Sequence, residues 1–348
     1  MILHVIKSNI YSGAENVVCQ IIKGLSGREE FVYMAPHGPI EDKLRSIGLI
    51  NCYRGIDKLS VYEIKKAVEE LHPDVVHAHD FTASVLCGIA LKGRVPVISH
   101  LHCNPLWLKN PLHPKSFSYY LANKWYAHII TVSDSIAQEY CYANRLRCPI
   151  TTMGNPFSTE AVLKAAEEKA SEDISSDLLY VGRFNQAKNP LGAIKIFESL
   201  PDNKSLTLRM VGNGELLDEC KEYVVSHGLS QQVIFEGYQK NVYKYMDKTK
   251  VLIMPSIFEG FGLVALEAMT LGKPVVCSGV GGLTDIVNDS CGYICKDDKS
   301  YIDSISELLG DASIYASKSD GAINQAHTFD NSRDYCNQLY SIYQSLKS

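Results

Sequence analysis

No Cys-x-x-Cys pair occurs among the eleven cysteines of this chain, and their odd number argues against a closed disulfide framework. Free, buried thiols in a reduced compartment are expected instead, Cys291 and Cys295 included. No apolar run approaches the roughly 18 residues that span a bilayer. The opening Met1–Lys7 is too short and wrongly flanked for a secretory leader. A soluble cytoplasmic chain, at most peripheral to the inner face of a membrane, is the expectation. Basic residues are not in excess: 34 Lys and Arg stand against 39 Asp and Glu, a net −5, which speaks against a nucleic-acid partner. Asp-x-Asp is absent, and with it a common way of holding a diphosphate through a divalent cation, so no metal or other cofactor is expected. Gly-x-Gly-x-x-Gly follows the first strand of neither half, which weakens a dinucleotide-dependent dehydrogenase.

The chain is rich in apolar residues, at 46% of its 348 positions, enough for two cores at ordinary domain size. Short β-rich runs alternate with helical stretches, which implies parallel strands joined by crossovers. The first series comprises strands at Ile2–Ile6, Val32–Ala35, Asp74–Ala78, Val95–Leu101 and His128–Val132. Helices are expected at Ala14–Leu25, Val61–Leu71, Thr82–Leu91 and Tyr119–Tyr126, with Ser133 capping one more. The alternation pauses, with a charged helix at Glu160–Ala170, and restarts at Leu178–Val181. Strands follow at Ser205–Val211, Val233–Glu236, Val251–Met254 and Pro274–Cys277. The reading is α/β: two doubly wound, Rossmann-like domains, 1–153 and 176–329, joined by a hinge at 154–175 and facing a cleft. A final amphipathic helix within 330–348 is expected to complete the first domain. Ligands of such sheets bind beyond the carboxyl ends of the strands. Residues 1–150 carry 16 basic and 13 acidic side chains, a mild positive bias towards an anionic surface.

Chemistry concentrates in Pro255-Ser-Ile-Phe-Glu259-Gly-Phe-Gly262-Leu-Val-Ala-Leu-Glu267. Gly260 and Gly262 let a turn bring backbone close to a ligand. The helix starting near Leu263 aims free amides at an anion, for which a diphosphate fits. Glu267 sits in an apolar helix, so its carboxylate needs hydrogen-bond donors such as ribose hydroxyls. Glu259, before the helix, is placed to accept from sugar hydroxyls. In Leu178-Leu-Tyr-Val-Gly182-Arg183-Phe184-Asn-Gln-Ala-Lys188-Asn189-Pro190, a strand delivers two cations to its carboxyl end. Asn189 reads as a helix cap and Pro190 as the first helical residue. Arg183 and Lys188 suit a diphosphate and the charge that develops on a leaving group.

In the first domain Gly13 opens a strand-to-helix turn. His77, His79, His100 and His102 lie near the ends of two strands. One histidine, His102, is expected to hydrogen-bond a ligand, the others being ordinary strand-end residues; no carboxylate or thiolate spacing supports zinc. Tyr53, Trp107, Lys109, Lys115, Tyr119 and Tyr120 surround a Pro-rich loop, Asn104–Pro114, and suggest docking at an anionic membrane surface.

These motifs resemble the family 4 glycosyltransferases, retaining enzymes of the GT-B architecture. Glu259-Gly-Phe-Gly with Glu267, Gly182-Arg183-Phe184 with Lys188, Gly212-Asn213-Gly214-Glu215 and Gly272-Lys273-Pro274 stand in the family's order. Ser12-Gly13-Ala14-Glu15 and His77-Ala-His79-Asp80 are similar too, although the family often has glycine at position 12 and Asn-Gly at 155–156. The resemblance implies that Arg183 and Lys188 bind the donor diphosphate beside Gly13 and Gly182. It implies that Glu267 holds the ribose, Glu259 the transferred sugar, and the amides of Phe261, Gly262 and Leu263 the donor. His102 would lie near the reacting carbon. The implied activity moves a hexose or N-acetylhexosamine from a nucleotide-sugar donor, UDP favoured, in cell-surface polysaccharide synthesis. The acceptor would be a glycan or carried on a polyprenyl diphosphate. A GT-B epimerase acting without acceptor and a non-catalytic sugar-nucleotide-binding module remain alternatives.

Overall fold

Apolar runs without polar alternation suit strands covered on both faces. In the computed structural model of the chain, Ile2–Val5 and Val75–His79 are buried along their whole length. The structure describes residues 1–167 and 174–347. Two compact units result, one of Met1–Pro156 with Asn331–Ser348, the other of Phe157–Asp330.

The first unit holds β1 (Ile2–Val5), β2 (Phe31–Pro36), β3 (Tyr53–Ile56), β4 (Val75–His79), β5 (Val97–Leu101), β6 (His128–Thr131) and β7 (Ile150–Thr152). They form one parallel sheet in the order β3-β2-β1-β4-β5-β6-β7. Strand order reverses between β1 and β4, so their carboxyl ends diverge into a crevice. The helix Gly13–Leu25 buries Val17, Val18, Ile21, Ile22 and Leu25 against the sheet. The helix Ser332–Leu346 joins the same core through Tyr335, Leu339 and Tyr343.

The second unit holds β8 (Ser176–Val181), β9 (Leu208–Val211), β10 (Val233–Gly237), β11 (Thr249–Met254), β12 (Val275–Ser278) and β13 (Gly292–Cys295). Its parallel sheet runs β10-β9-β8-β11-β12-β13 and reverses between β8 and β11. The expected two Rossmann-like sheets are therefore present.

Several local expectations shift. β3, β7 and β13, absent from the sequence reading, are all edge strands, where one-sided burial weakens the apolar signal. The helix expected at Tyr119–Tyr126 is Pro114–Ala122, because Pro114 takes the first turn and the His113 ring accepts the Lys115 N–H. β9 begins at Leu208, since a 3₁₀ turn occupies Asn203–Ser205. Ser133 stands at a helix start, but its hydroxyl bonds Ser135 rather than capping. The charged helix is Thr159–Ala166; its expected end at 168–170 and residues 171–173 lie outside the described residues. All eleven cysteines are free; Cys291, Cys295 and four others are buried as expected, but Cys52, Cys103, Cys148 and Cys336 are only partly buried and Cys141 is exposed. Among the described residues no helix is long and apolar enough to cross a membrane.

Candidate functional site

Neighbouring strands β8 and β11 release their loops at the reversal of the second sheet, and the two loops are fastened together. Asn189 caps the helix Pro190–Glu198 by accepting the Gly192 N–H, and its amide donates to the Pro255 carbonyl at 3.1 Å. The Ile257 N–H donates to the Ala187 carbonyl at 2.8 Å. Between these anchors the Lys188 ammonium pairs with the Glu259 carboxylate, which also accepts the Gly260 N–H at 3.0 Å. The structure thus brings Lys188 and Glu259 into contact, although 71 residues separate them. Arg183, on the same loop, is 57% exposed and lies 3.9 Å from Glu215, an exposed pair that holds it weakly.

Tyr180, buried in β8, donates its hydroxyl to the carbonyl of Arg183 at 3.1 Å and approaches that of Lys188. It fixes the cationic loop from beneath. The sequence contained a signal for it: a buried strand tyrosine needs a partner for its polar tip.

The turn after β11 is shaped by close approaches. Gly262, with φ +104°, precedes the helix Leu263–Thr270, and a Cβ there would meet Leu283 at 2.8 Å. Only glycine fits that conformation and that space. Gly282 donates to the Gly260 carbonyl at 3.1 Å, holding the turn so that Phe261, Gly262 and Leu263 lead into the helix. The first amides of such a helix lack intrahelical acceptors and favour an anion. Phe261 itself is buried beside Phe329, so its backbone is the part offered to a ligand.

Glu267 lies one turn into this helix, half-buried, with the Tyr243 hydroxyl donating to it at 3.1 Å. Burial raises its pKa to about 7, against the opposing pull of that hydrogen bond. Tyr243 was not legible in the sequence; it arrives from the short helix Tyr243–Asp247. Gly182 follows β8, where its Cβ position would contact the Tyr180 hydroxyl at 3.2 Å. A groove lined by Asp177, Lys248, Lys250 and Lys273 lies at the opposite, amino edge of this sheet.

In the first unit Gly13 follows β1. A Cβ at Gly13 would meet nothing within 4 Å and its φ is unstrained, so the fold itself does not require glycine there. Ser12 gives both its N–H and its hydroxyl to the Glu15 carboxylate, at 3.1 and 2.6 Å. His102 follows β5. Its N–H donates to Asp80 at 3.1 Å, and its ring Nε2 lies 2.9 Å from His79 Nδ1. Asp80 is partly buried and adopts φ +66°, a conformation that aspartate tolerates.

The remaining histidines are not ordinary strand-end residues. His77, His79 and His100 are fully buried and bonded to one another or to His102, and His4 of β1, missed in the sequence, joins them. His77 Nδ1 bonds the Tyr343 hydroxyl at 2.7 Å. Burial depresses the pKa of all five, to about 3 for His4 and His102, so they are neutral imidazoles at physiological pH. Two triplets, His4-His77-His79 and His79-His100-His102, bring nitrogens within 4.8 Å, the spacing a metal would need.

The aromatic and basic group around Asn104–Pro114 is only partly a surface. Tyr119 is buried, and Tyr53 sits on the edge strand β3, bonded to the carbonyls of Ala35 and Pro36. The exposed apolar residues there are Leu106, Leu112, Phe117 and Leu121, Leu112 being 89% exposed. Lys115 leans towards Trp107, and Lys109 pairs with Glu139 at 3.2 Å.

Residues 164–326 match the family described as Glycosyl transferases group 1, and residues 11–161 match that described as Glycosyltransferase Family 4. An uncharacterized glycosyltransferase of Methanocaldococcus jannaschii is 29% identical over 62% of this chain and 60% of its own length. The chain thus spans less than two thirds of that relative. The N-acetyl-alpha-D-glucosaminyl L-malate synthase of Bacillus anthracis is 22% identical over 78% of this chain and 75% of its own. Among solved structures, Anabaena HepE in complex with UDP-glucose superposes with a TM-score of 0.83 at 20% identity, covering 99% of both chains.

Proposed function

Since the chain belongs to the family 4, group 1 glycosyltransferases of GT-B fold, we propose that it transfers a sugar from a nucleoside diphosphate donor with retention of configuration. The observation that carries the reading is the Lys188–Glu259 pair at the β8/β11 reversal, flanked by Arg183 and by the helix start at Gly262. UDP is the favoured nucleotide, in keeping with the UDP-glucose bound by HepE. A hexose or N-acetylhexosamine is the proposed cargo, and a glycan or lipid-linked hydroxyl of cell-surface polysaccharide the proposed acceptor.

In this mechanism Glu267 accepts the ribose hydroxyls, while the amides leading into the helix at Leu263 and the side chains of Arg183 and Lys188 grip the diphosphate. Lys188 arrives already paired with Glu259, so donor binding exchanges that partner for a phosphate oxygen and frees Glu259 for a sugar hydroxyl. The bond from the anomeric carbon to the phosphate oxygen breaks, and its electrons leave with the nucleotide. Arg183 and Lys188 stabilise that charge. The acceptor oxygen attacks the same face and passes its proton to the departing phosphate. His102, neutral at working pH and with its ring nitrogens engaged by its neighbours, is assigned to contact with the transferred sugar through its ring edge rather than to proton transfer. Gly13 admits the donor closely, and cations with helix amides take the place of a metal. The exposed apolar residues 106–121 and their lysines support docking at an anionic membrane.

The test is product analysis with UDP-sugars and hydroxyl acceptors. Transfer with an α-linked product from an α-linked donor is expected; conversion of donor alone to an epimer would replace this reading with the epimerase.

A further inference from the structure

Strand register places His4 beside His77 and His79 beside His100, and alternation along β1, β4 and β5 puts His4, His77, His79 and His100 on one face, with His102 next in that row. Three of these rings form a continuous chain. His4 Nδ1 lies 2.9 Å from His79 Nε2, and His79 Nδ1 lies 2.9 Å from His102 Nε2. A neutral imidazole carries one N–H, so each inner contact needs a donor on one side and a lone pair on the other. His79 must therefore donate to one neighbour and accept from the other. The chain has only two consistent states, in which every proton points towards His102 or every proton points towards His4.

The two ends decide between them. At one end His102 Nδ1 and Asn155 Oδ1 are both buried and neither has a hydrogen-bond partner of normal length, yet the Asn155 side chain is near enough to strengthen the hold of His102 on a proton. Asn155 Oδ1 is an acceptor, so it calls for an N–H on His102 Nδ1. At the other end His4 Nε2 is buried against Phe31 with no acceptor to receive an N–H. An unpaired lone pair is the cheaper defect there. Both ends select the same direction.

We propose that His4, His79 and His102 form a tautomer-locked chain that holds His102 as the Nδ1–H form, making His79 a positioning residue for the transfer reaction. The lock runs from His4 Nδ1–H to His79 Nε2, from His79 Nδ1–H to His102 Nε2, and from His102 Nδ1–H to Asn155. With the Asp80 carboxylate on its backbone N–H, His102 is fixed at three points. The kinetic part rests on the function proposed above; the tautomer does not.

Two substitutions separate a lock from mere packing. Asn at position 79 keeps an amide donor near the place of Nδ1, whereas Leu keeps volume and loses the donor. In ¹⁵N-edited imidazole spectra of the wild-type protein, His4, His79 and His102 should each show a protonated Nδ1 and a bare Nε2. His79→Leu should lower turnover at least tenfold at little changed donor KM, and His79→Asn should recover most of it. A protonated Nε2 on wild-type His102 overturns the lock. Equal turnover in the Asn and Leu variants, with both folded by the same spectra, overturns the positioning role. Unchanged turnover in His102→Ala would instead remove His102 from the reaction, and the spectra would still report on the chain.

Discussion

Glu267 shows how one side chain carries opposing demands. Its raised pKa means that the folded protein binds a proton there more tightly than the unfolded chain does. Stability from this group is therefore greatest below about pH 4.5 and is lost as pH rises towards 7. Glu267→Gln should raise Tm relative to wild type at pH 8 and change it little at pH 4.5; an equal shift at both would contradict the burial. Ribose hydroxyls demand the opposite, a charged acceptor. Binding of UDP-glucose, whose diphosphate does not titrate between pH 6 and 8, should weaken as pH falls through 7, and Glu267→Gln should flatten that dependence in calorimetry. Gly13→Ala probes the first unit in the same spirit. Open space above Gly13 predicts unchanged Tm but a loss of donor turnover of at least about tenfold, as when a close contact in the transition state is displaced. Lost stability with intact turnover would make Gly13 a structural glycine.

At the scale of elements, the site is two strand-to-helix loops tied by Asn189, Ile257 and the Lys188–Glu259 pair. Tyr180→Phe should leave the fold intact and lower turnover, because it frees the carbonyls of Arg183 and Lys188 from their buttress. The cost to stability should be about 1 kcal/mol, a typical net hydrogen bond. Turnover equal to wild type would remove the buttress from the account. Central strands and the long helix Val61–Leu71 were legible because burial on both faces, or on one helical stripe, leaves a strong apolar pattern. Edge strands β3, β7 and β13 and the short helix Ile40–Ser46 were not, since each is only partly covered. The candidate residues of the second unit were readable from glycine and charge spacing. Tyr243 and His4 were not, because their partners are distant in sequence and nothing local marks them.

For the whole molecule, four buried neutral histidines and the partly buried His102 make the first unit acid-sensitive. Unfolding exposes them to an ordinary pKa near 6.5, so their stabilising effect is present above that value and is lost as pH falls below it. Each adds a slope of about 1.4 kcal/mol per pH unit while it is protonated only in the unfolded chain. Tm should fall steeply between pH 6.5 and 4.5, and a flat profile would contradict the buried cluster. The exposed Leu106, Leu112, Phe117 and Leu121 predict co-flotation with anionic liposomes at low salt; failure to co-migrate would remove the membrane from the proposal. The proposed mechanism has cations and backbone amides at the β8/β11 reversal hold and activate a diphosphate without a metal. It is tested most directly by turnover of a UDP-sugar in excess EDTA, for wild type and Arg183→Ala at saturating donor. Full wild-type activity and a loss of at least about a hundredfold in the variant are predicted, the scale of removing a charge-stabilising donor. Equal turnover in the two proteins, or a strict need for magnesium or manganese, would contradict it.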